Sequence, residues 1–158
     1  MVFAGAGTSV NLTNLNGEPI GSWSNLVKKI LLHLNGSASK FQYLLELLNH
    51  YEPITILDLI EKSNDIEKKD VYDFVKEFFE LNENNDYGLQ IKIARLCNII
   101  ITTNYDTAFE NGNKHLRNRV AYKGKNYELT THKDDKPLLL KLHGCFSDVG
   151  SMVLFPGN

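Results

Sequence analysis

Residues 98–106 have the sequence Asn98-Ile99-Ile100-Ile101-Thr102-Thr103-Asn104-Tyr105-Asp106, a short β-branched run that ends in polar side chains. Within this run the apolar residues do not alternate with polar ones. The pattern is typical of a strand that is buried on both faces of a parallel sheet. The polar residues that follow the run then lie at the carboxyl end of that strand.

Two other segments share this layout, in which an apolar run stops at small or polar residues. Phe3-Ala4 leads into Gly5-Ala6-Gly7-Thr8-Ser9, and residues 137–142 lead into His143-Gly144. A further, weak strand is predicted at 152–155. Strands that are separated by helices predict an α/β fold with a parallel sheet. Because ligands bind outside the carboxyl ends of parallel strands, we expect the three polar ends to meet in one crevice.

Helical spacing of apolar residues occupies most of the chain between the glycine segment and residue 98. The predicted helices cover about 22–34, 39–50, 54–62, 66–81 and 88–96. We therefore expect a helical subdomain, at about 22–96, inserted between the first two strands. Because the first strand is short and the chain ends abruptly, we expect residues 1–158 to form one truncated domain.

The composition excludes several classes of protein. The 158 residues carry a formal net charge of −2. A general nucleic-acid binder is strongly basic, so this class is not expected. No apolar run is long enough for a membrane span. The first residues have neither the basic region nor the long apolar region of a secretory signal, so a cytoplasmic location is expected. Cys97 and Cys145 are too few for a disulfide framework and have no zinc-knuckle spacing.

The glycine segment has two interpretations. Gly5 and Gly7 either let backbone N–H groups approach an anion closely or simply permit a tight turn. The segment departs from the GxGxxG pattern because Val10 occupies the third glycine position. It also lacks the Gly-Lys-Ser/Thr ending of a P-loop.

The polar end of the central run offers an amide and a carboxylate. Asn104 follows the strand and is expected to face a ligand. Asp106 either does the same or forms an Asx turn that caps the following helix.

His143 lies between a strand and a glycine, where it either contacts a ligand or occupies a structural position. Because histidine titrates near neutral pH, it can act as a base or can simply orient a substrate. Cys145 is two residues away, and we expect it to be a small buried apolar residue rather than a nucleophile. Trp23 is expected in the core or in a pocket wall.

Taken together and in this order, the three segments resemble sirtuin-like NAD-binding domains. Sirtuins carry Gly-Ala-Gly-x-Ser, then Thr-Gln-Asn-x-Asp, then His-Gly. The matching segments here are Gly5-Ala6-Gly7-Thr8-Ser9, Thr102-Thr103-Asn104-Tyr105-Asp106 and His143-Gly144. The forms Thr-Thr-Asn-Tyr-Asp and Lys-Leu-His-Gly are similar to those of a bacterial branch of NAD hydrolases that act in anti-phage defence.

The resemblance implies a Rossmann-like parallel sheet with an inserted helical subdomain, and NAD as the substrate. The residues that it places at the dinucleotide phosphates are Gly5, Ala6, Gly7 and Ser9. It places Asn104 and Asp106 at the nicotinamide and its ribose, and His143 at the reacting ribose. Deacylating sirtuins carry a zinc module after His-Gly; no cysteine pair follows here, so no metal is expected.

The implied activity is hydrolysis of NAD to nicotinamide and ADP-ribose, with Asn104 and His143 as catalytic residues and with NAD depletion as an effector of anti-phage defence. The alternatives are an NAD-dependent protein deacylase and a non-catalytic module that binds or senses NAD or ADP-ribose. Nicotinamide leaves as a neutral molecule through an oxocarbenium-like state, so hydrolysis needs no general acid. The resemblance also implies a homo-oligomer, or a partner or sensor domain outside residues 1–158.

Overall fold

The structure, a computed structural model, describes residues 1–35, 41–120 and 137–157. Its centre is a sheet of four strands, which are β1 (Val2–Ala4), β2 (Ile99–Thr102), β3 (Arg117–Val120) and β4 (Leu138–Lys141). Their spatial order is β1-β2-β4-β3, and each neighbouring pair is parallel. The predicted α/β fold with a parallel, Rossmann-like sheet is confirmed.

The register of the sheet aligns the ends of the three strands that precede the polar segments. Ala4 pairs with Thr102, and Thr102 pairs with Lys141. The chain therefore leaves these strands at one edge of the sheet, where parallel α/β sheets bind their ligands. Ile100 and Leu139 are fully buried in the middle of the sheet, which explains why these positions are apolar.

Six helices accompany the sheet in the described residues. They are α1 (Trp23–Asn35), α2 (Gln42–Leu47), α3 (Pro53–Lys62), α4 (Lys68–Phe78), α5 (Gly88–Leu96) and α6 (Ala108–Gly112). Five of them lie between β1 and β2 in the chain, where the apolar spacing predicts helices. The predicted helix at 39–50 begins outside the described residues, and its described part is limited to α2. None of the described helices combines the length and the apolarity that crossing a membrane requires.

Apolar burial is divided between two clusters of side chains. The larger cluster joins α1, α2, α3 and α4 to Tyr105 and Phe155. The smaller cluster consists of Ala4, Ala94, Ile100, Phe109 and Leu139, and it packs α5 and α6 on the sheet. Tyr105 is the third residue after β2 and follows Asn104 in the chain. The polar end of β2 therefore lies where the helices meet the sheet.

Two elements differ from expectation. The sequence does not predict β3, because residues 117–120 contain no apolar run; the strand forms by pairing with β4 at the edge of the sheet. The prediction of a strand at 152–155 is wrong. These residues follow a 3-10 turn at Val149–Ser151, and Met152, Leu154 and Phe155 pack into the larger cluster instead of forming a strand.

Candidate functional site

A cavity of about 340 Å³ opens at the carboxyl edge of the sheet. One side of it comes from the ends of β1, β2 and β4, and the other side from the helices and the loop that leads into α1. The lining residues beyond the strand ends are Ala6, Ser9, Thr103, Asn104, Tyr105, Asp106 and His143. The structure thus brings three polar segments that are far apart in the chain to a single cavity.

The glycine segment forms a 3-10 turn at Ala6–Thr8. The N–H groups of Thr8 and Ser9 donate to carbonyl oxygens three residues earlier, at 3.0 Å each. Gly5 and Gly7 do not adopt positive φ, so the turn itself does not require glycine. A Cβ atom at either glycine would meet nothing within 4 Å, so open space lies beside the turn. Ser9 lines the cavity, whereas the two glycines do not.

Asn104 is fixed at the cavity through its amide nitrogen. Nδ2 donates to the hydroxyl oxygens of Thr8 and Ser9, at 3.3 Å each. The backbone N–H of Asn104 donates to Thr102 Oγ1 at 3.0 Å. Because the glycine turn engages the donor end of the amide, Oδ1 is the end left to act on a ligand.

Asp106 forms the Asx turn that the sequence allows, although the N-cap residue of α6 is Thr107. Asp106 Oδ1 accepts a hydrogen bond from the N–H of Ala108, the first residue of α6, at 2.9 Å. The Asp106 side chain is buried and also lines the cavity. The Asx turn is therefore present, and a contact between Asp106 and a ligand stays a prediction.

His143 lines the same cavity as Asn104. Partial burial lowers the pKa of its imidazole below the usual 6.5, so the ring is neutral at pH 7. The carbonyl oxygen of His143 accepts a hydrogen bond from the N–H of Val153 at 2.9 Å. Gly144 follows with a φ of +87°, and a Cβ atom there would lie 2.2 Å from the carbonyl oxygen of Ser151. The turn that presents His143 therefore requires glycine at position 144.

A family model described as a SIR2-like domain matches residues 98–156. The match is consistent with a sirtuin-like domain. The match includes Asn104, Asp106 and His143, and the glycine turn lies outside it. None of the curated proteins compared with the chain matches it. SIR2-like domains use NAD as a substrate, so the match indicates an NAD-related function.

The wall of the cavity that faces the strand ends is mainly apolar. Its larger side chains are Ile20, Trp23, Leu26, Ile54 and Phe79. The ring centroids of Trp23 and Phe79 lie 6.1 and 5.8 Å from that of Tyr105. Trp23 thus occupies a pocket wall, one of the two positions expected for it.

Lys141, the last residue of β4, is a residue of the SIR2-like segment to which sequence reasoning assigns no role. The side chain is fully buried, and Nζ has four acceptors for its three N–H groups, so one hydrogen bond is shared. The acceptors are the carbonyl oxygens of Tyr105 and Asp106, Glu110 Oε1 at 3.1 Å and Cys145 Sγ at 3.2 Å. Burial lowers the pKa of Lys141, but attraction to Glu110, Cys145 and Asp106 outweighs burial and raises the pKa overall. Charged Lys141 therefore ties the segment after β2 to the segment after β4. The available signal was a lysine within an otherwise apolar strand.

Cys145 is buried as expected, but its surroundings are polar. Its Sγ accepts hydrogen bonds from Lys141 Nζ and from Ser147 Oγ, both at 3.2 Å. The expected apolar role is therefore wrong. Cys145 is also absent from the residues that line the cavity, so it is not placed to attack a ligand there. In the part of the chain that the structure describes, no three His, Cys, Asp or Glu side chains lie close enough to hold a metal ion.

Proposed function

We propose that the chain hydrolyses NAD to nicotinamide and ADP-ribose. One observation carries the proposal: the fixed amide of Asn104 and the neutral imidazole of His143 line one cavity, next to Ser9 of the glycine turn. The SIR2-like match supports NAD as the substrate. It does not distinguish hydrolysis from other uses of NAD, so the reaction type rests on the chemistry of these side chains.

The reaction breaks the bond between C1′ of the ribose and the ring nitrogen of nicotinamide. The electron pair of that bond moves to the nitrogen, so the positively charged ring leaves as neutral nicotinamide, and the ribose passes through an oxocarbenium-like state. Water then forms the new bond to C1′ and loses a proton. None of these reaction steps requires a second carboxylic acid, in contrast to ordinary glycoside hydrolysis.

Asn104 and His143 have complementary roles in the proposed reaction. Asn104 Oδ1 carries partial negative charge and can hold a ribose hydroxyl or the attacking water while positive charge develops at C1′. His143 is neutral at pH 7, so it can accept the proton that water releases. Because the hydroxyls of Thr8 and Ser9 already hold the amide, little reorganisation is needed when the substrate binds.

The size and lining of the cavity favour the nicotinamide half of the dinucleotide. At about 340 Å³, the cavity lies near the lower end of the roughly 300–1,000 Å³ typical of ligand pockets. The aromatic rings of Trp23, Phe79 and Tyr105 suit a flat, positively charged nicotinamide ring. We place nicotinamide and its ribose in this cavity and the phosphates in the open space beside Gly5 and Gly7.

The direct test is release of nicotinamide from NAD by the purified full-length protein, with and without an acyl-lysine peptide. Hydrolysis predicts release without the peptide and in equal amount with it. Release that requires the peptide would instead identify a deacylase. Saturable binding of NAD or ADP-ribose without release, even after extracts of phage-infected cells are added, would identify a sensing module.

Asn104→Ala provides the residue-level control for this assay. Removing the amide deletes the group that holds water or ribose, so we expect nicotinamide release to fall about 100-fold or more. Asn84→Ala changes the same residue type at an exposed position, and it should keep the wild-type rate. Similar rates for the two variants would contradict the role given to Asn104.

We also propose that NAD depletion by this chain serves anti-phage defence in the bacterial cytoplasm, as part of an oligomer or with a sensor domain. The support is the likeness of its Thr-Thr-Asn-Tyr-Asp and Lys-Leu-His-Gly motifs to the bacterial branch. Bacteria that express the full-length protein should lose NAD after phage infection, whereas cells that express Asn104→Ala should not. Constant NAD levels during infection by a broad phage panel would oppose this role.

A further inference from the structure

Gln90 is a buried polar side chain on the face of α5 that packs toward the sheet. It is 1% exposed, and Ala94, one turn later on the same helix, belongs to the core cluster on the sheet. An apolar residue would suit this position, because burial of an amide costs free energy unless both of its ends are hydrogen-bonded. Gln90 does not meet that condition: among the described residues, its Oε1 has no hydrogen-bond partner.

The other end of the Gln90 amide contacts the glycine turn. Nε2 donates to the carbonyl oxygen of Thr8 at 2.6 Å, across 82 positions of sequence. The hydroxyl of Thr8 donates to the carbonyl oxygen of Gly5 at 2.9 Å and accepts from Asn104 Nδ2 at 3.3 Å. A continuous series of hydrogen bonds therefore runs from α5 through Thr8 to the amide at the cavity.

We propose that Gln90 is a positioning residue of the NAD site: it fixes Thr8, and Thr8 together with Ser9 fixes the orientation of the Asn104 amide. This inference rests on the proposed function, since it concerns Asn104, the residue that would hold the ribose or the attacking water. Gln90 does not line the cavity, so it would act through Thr8 rather than on the substrate itself. Its unpaired Oε1 lowers stability, which is consistent with selection for placement of Thr8 rather than for packing.

The first test replaces the Gln90 amide with an apolar side chain of similar length. Gln90→Met removes the bond to Thr8 and also removes the unpaired oxygen, and these two changes have opposite effects on stability. We expect kcat for NAD hydrolysis to fall about 10-fold to 100-fold, as for other small misplacements of catalytic groups, with KM for NAD little changed. Gln42→Met alters the chain's other glutamine, which is exposed on α2, and it should keep the wild-type kcat.

The second test uses Gln90→Glu, since a carboxyl group can donate to the Thr8 carbonyl only while it is protonated. Burial raises the pKa of a carboxyl group, so protonation should occur within the assay range. The ratio of the Gln90→Glu rate to the wild-type rate should rise as the pH falls from 8 to 5.5. A merely structural role for Gln90 predicts a ratio that does not change with pH.

A third measurement does not depend on activity. The side-chain NH₂ resonances of Asn104, assigned by their loss in Asn104→Ala, should shift or broaden in Gln90→Met and stay unchanged in Gln42→Met. If the wild type releases no nicotinamide, the proposed function fails, but these resonances still test the link between Gln90 and Asn104. Unchanged resonances in Gln90→Met would overturn the inference. If Gln90→Met does not fold, the same resonances in Gln90→Glu at pH 8 decide it.

Discussion

At the scale of single residues, the protonation state of His143 is the property with the clearest consequence. Burial lowers its pKa below 6.5, and a base must be neutral to accept a proton. Activity should therefore fall as the pH drops through the lowered pKa and should level off at higher pH. At pH 6.5 the protein should retain more than half of its maximal kcat/KM for NAD.

The matched variants separate this role from general effects of pH. His143→Ala should lower the rate about 100-fold and abolish the acidic limb of the profile. His50→Ala, at an exposed position after α2, should change neither the rate nor the profile. A wild-type profile that falls with an apparent pKa above 6.5, or an unchanged rate in His143→Ala, would contradict a base at this position.

The residues of the site were only partly accessible from the sequence. The common location of Ser9, Asn104 and His143 at one cavity was predictable because each follows an apolar run, and the edge of a parallel sheet collects such positions. Gln90 and Thr8 were not predictable. Their contact joins two side chains 82 positions apart, and a pattern of apolar residues does not encode which polar groups meet across an interface.

At the scale of elements, Lys141 joins the loop after β2 to the turn after β4. Lys141→Met would remove the cation that pairs with Glu110 Oε1 and holds two backbone carbonyl oxygens, and removal of one partner of a buried pair costs about 3–5 kcal/mol. We expect a loss of about 3 kcal/mol in the free energy of unfolding, measured by urea denaturation.

The control for Lys141 is a lysine in an exposed ion pair. Lys62 pairs with Asp58 on α3, and its side chain is 71% exposed. Lys62→Met should change the free energy of unfolding by less than about 0.5 kcal/mol, as exposed pairs within a helix do. Equal effects of the two substitutions would mean that Lys141 does not hold the two segments together.

The turn after β4 gives a second prediction at this scale. Gly144→Ala adds a Cβ atom 2.2 Å from the carbonyl oxygen of Ser151 at a φ of +87°, so the turn must move. Gly17 has a similar φ, +75°, but a Cβ atom there would meet nothing within 4 Å. Gly17→Ala therefore measures the cost of the backbone strain alone, about 1 kcal/mol. Gly144→Ala should destabilise the protein by clearly more than Gly17→Ala and should also reduce nicotinamide release, because His143 precedes the turn. Similar thermal shifts for both variants would show that the contact with Ser151 is relieved without cost.

The elements themselves differed in how well the sequence predicts them. Periodic apolar residues predict α1, α3 and α5 nearly to their ends, since each helix buries one face. Residues 117–120 lack that signal, because β3 is an edge strand whose partner, β4, is encoded elsewhere in the chain. The apolar residues 152–155 predict burial correctly but not its form. A short apolar run can fill a core without entering a sheet.

At the scale of the whole molecule, the cavity is bounded on one side by the sheet edge and on the other by the helices. Strand ends supply the polar groups, and α1, α3 and the residue after α4 supply Trp23, Ile54 and Phe79. The polar side alone would leave the ribose in water. The apolar side excludes water from the proposed nicotinamide position, which strengthens the electrostatic effect of Asn104 and His143.

A ligand that contacts both sides of the cavity should stabilise the whole fold. A non-hydrolysable NAD analogue, in which a carbon atom replaces the ring oxygen of the nicotinamide ribose, is a suitable probe because it keeps the nicotinamide ring and is not consumed, and at 100 times its Kd it should contribute about 2.7 kcal/mol. For a chain of this length that corresponds to a rise in Tm of roughly 5–10 °C. Trp23→Ala removes a side chain of the helical wall and should reduce the rise, whereas Leu96→Ala, at a position 83% exposed and outside the cavity, should preserve it. Differential scanning fluorimetry across a series of concentrations of this analogue measures the rise in Tm. An equal rise in Trp23→Ala and the wild type would mean that the ligand binds without contacting the helices, and no rise in the wild type would mean that the cavity does not hold this half of NAD.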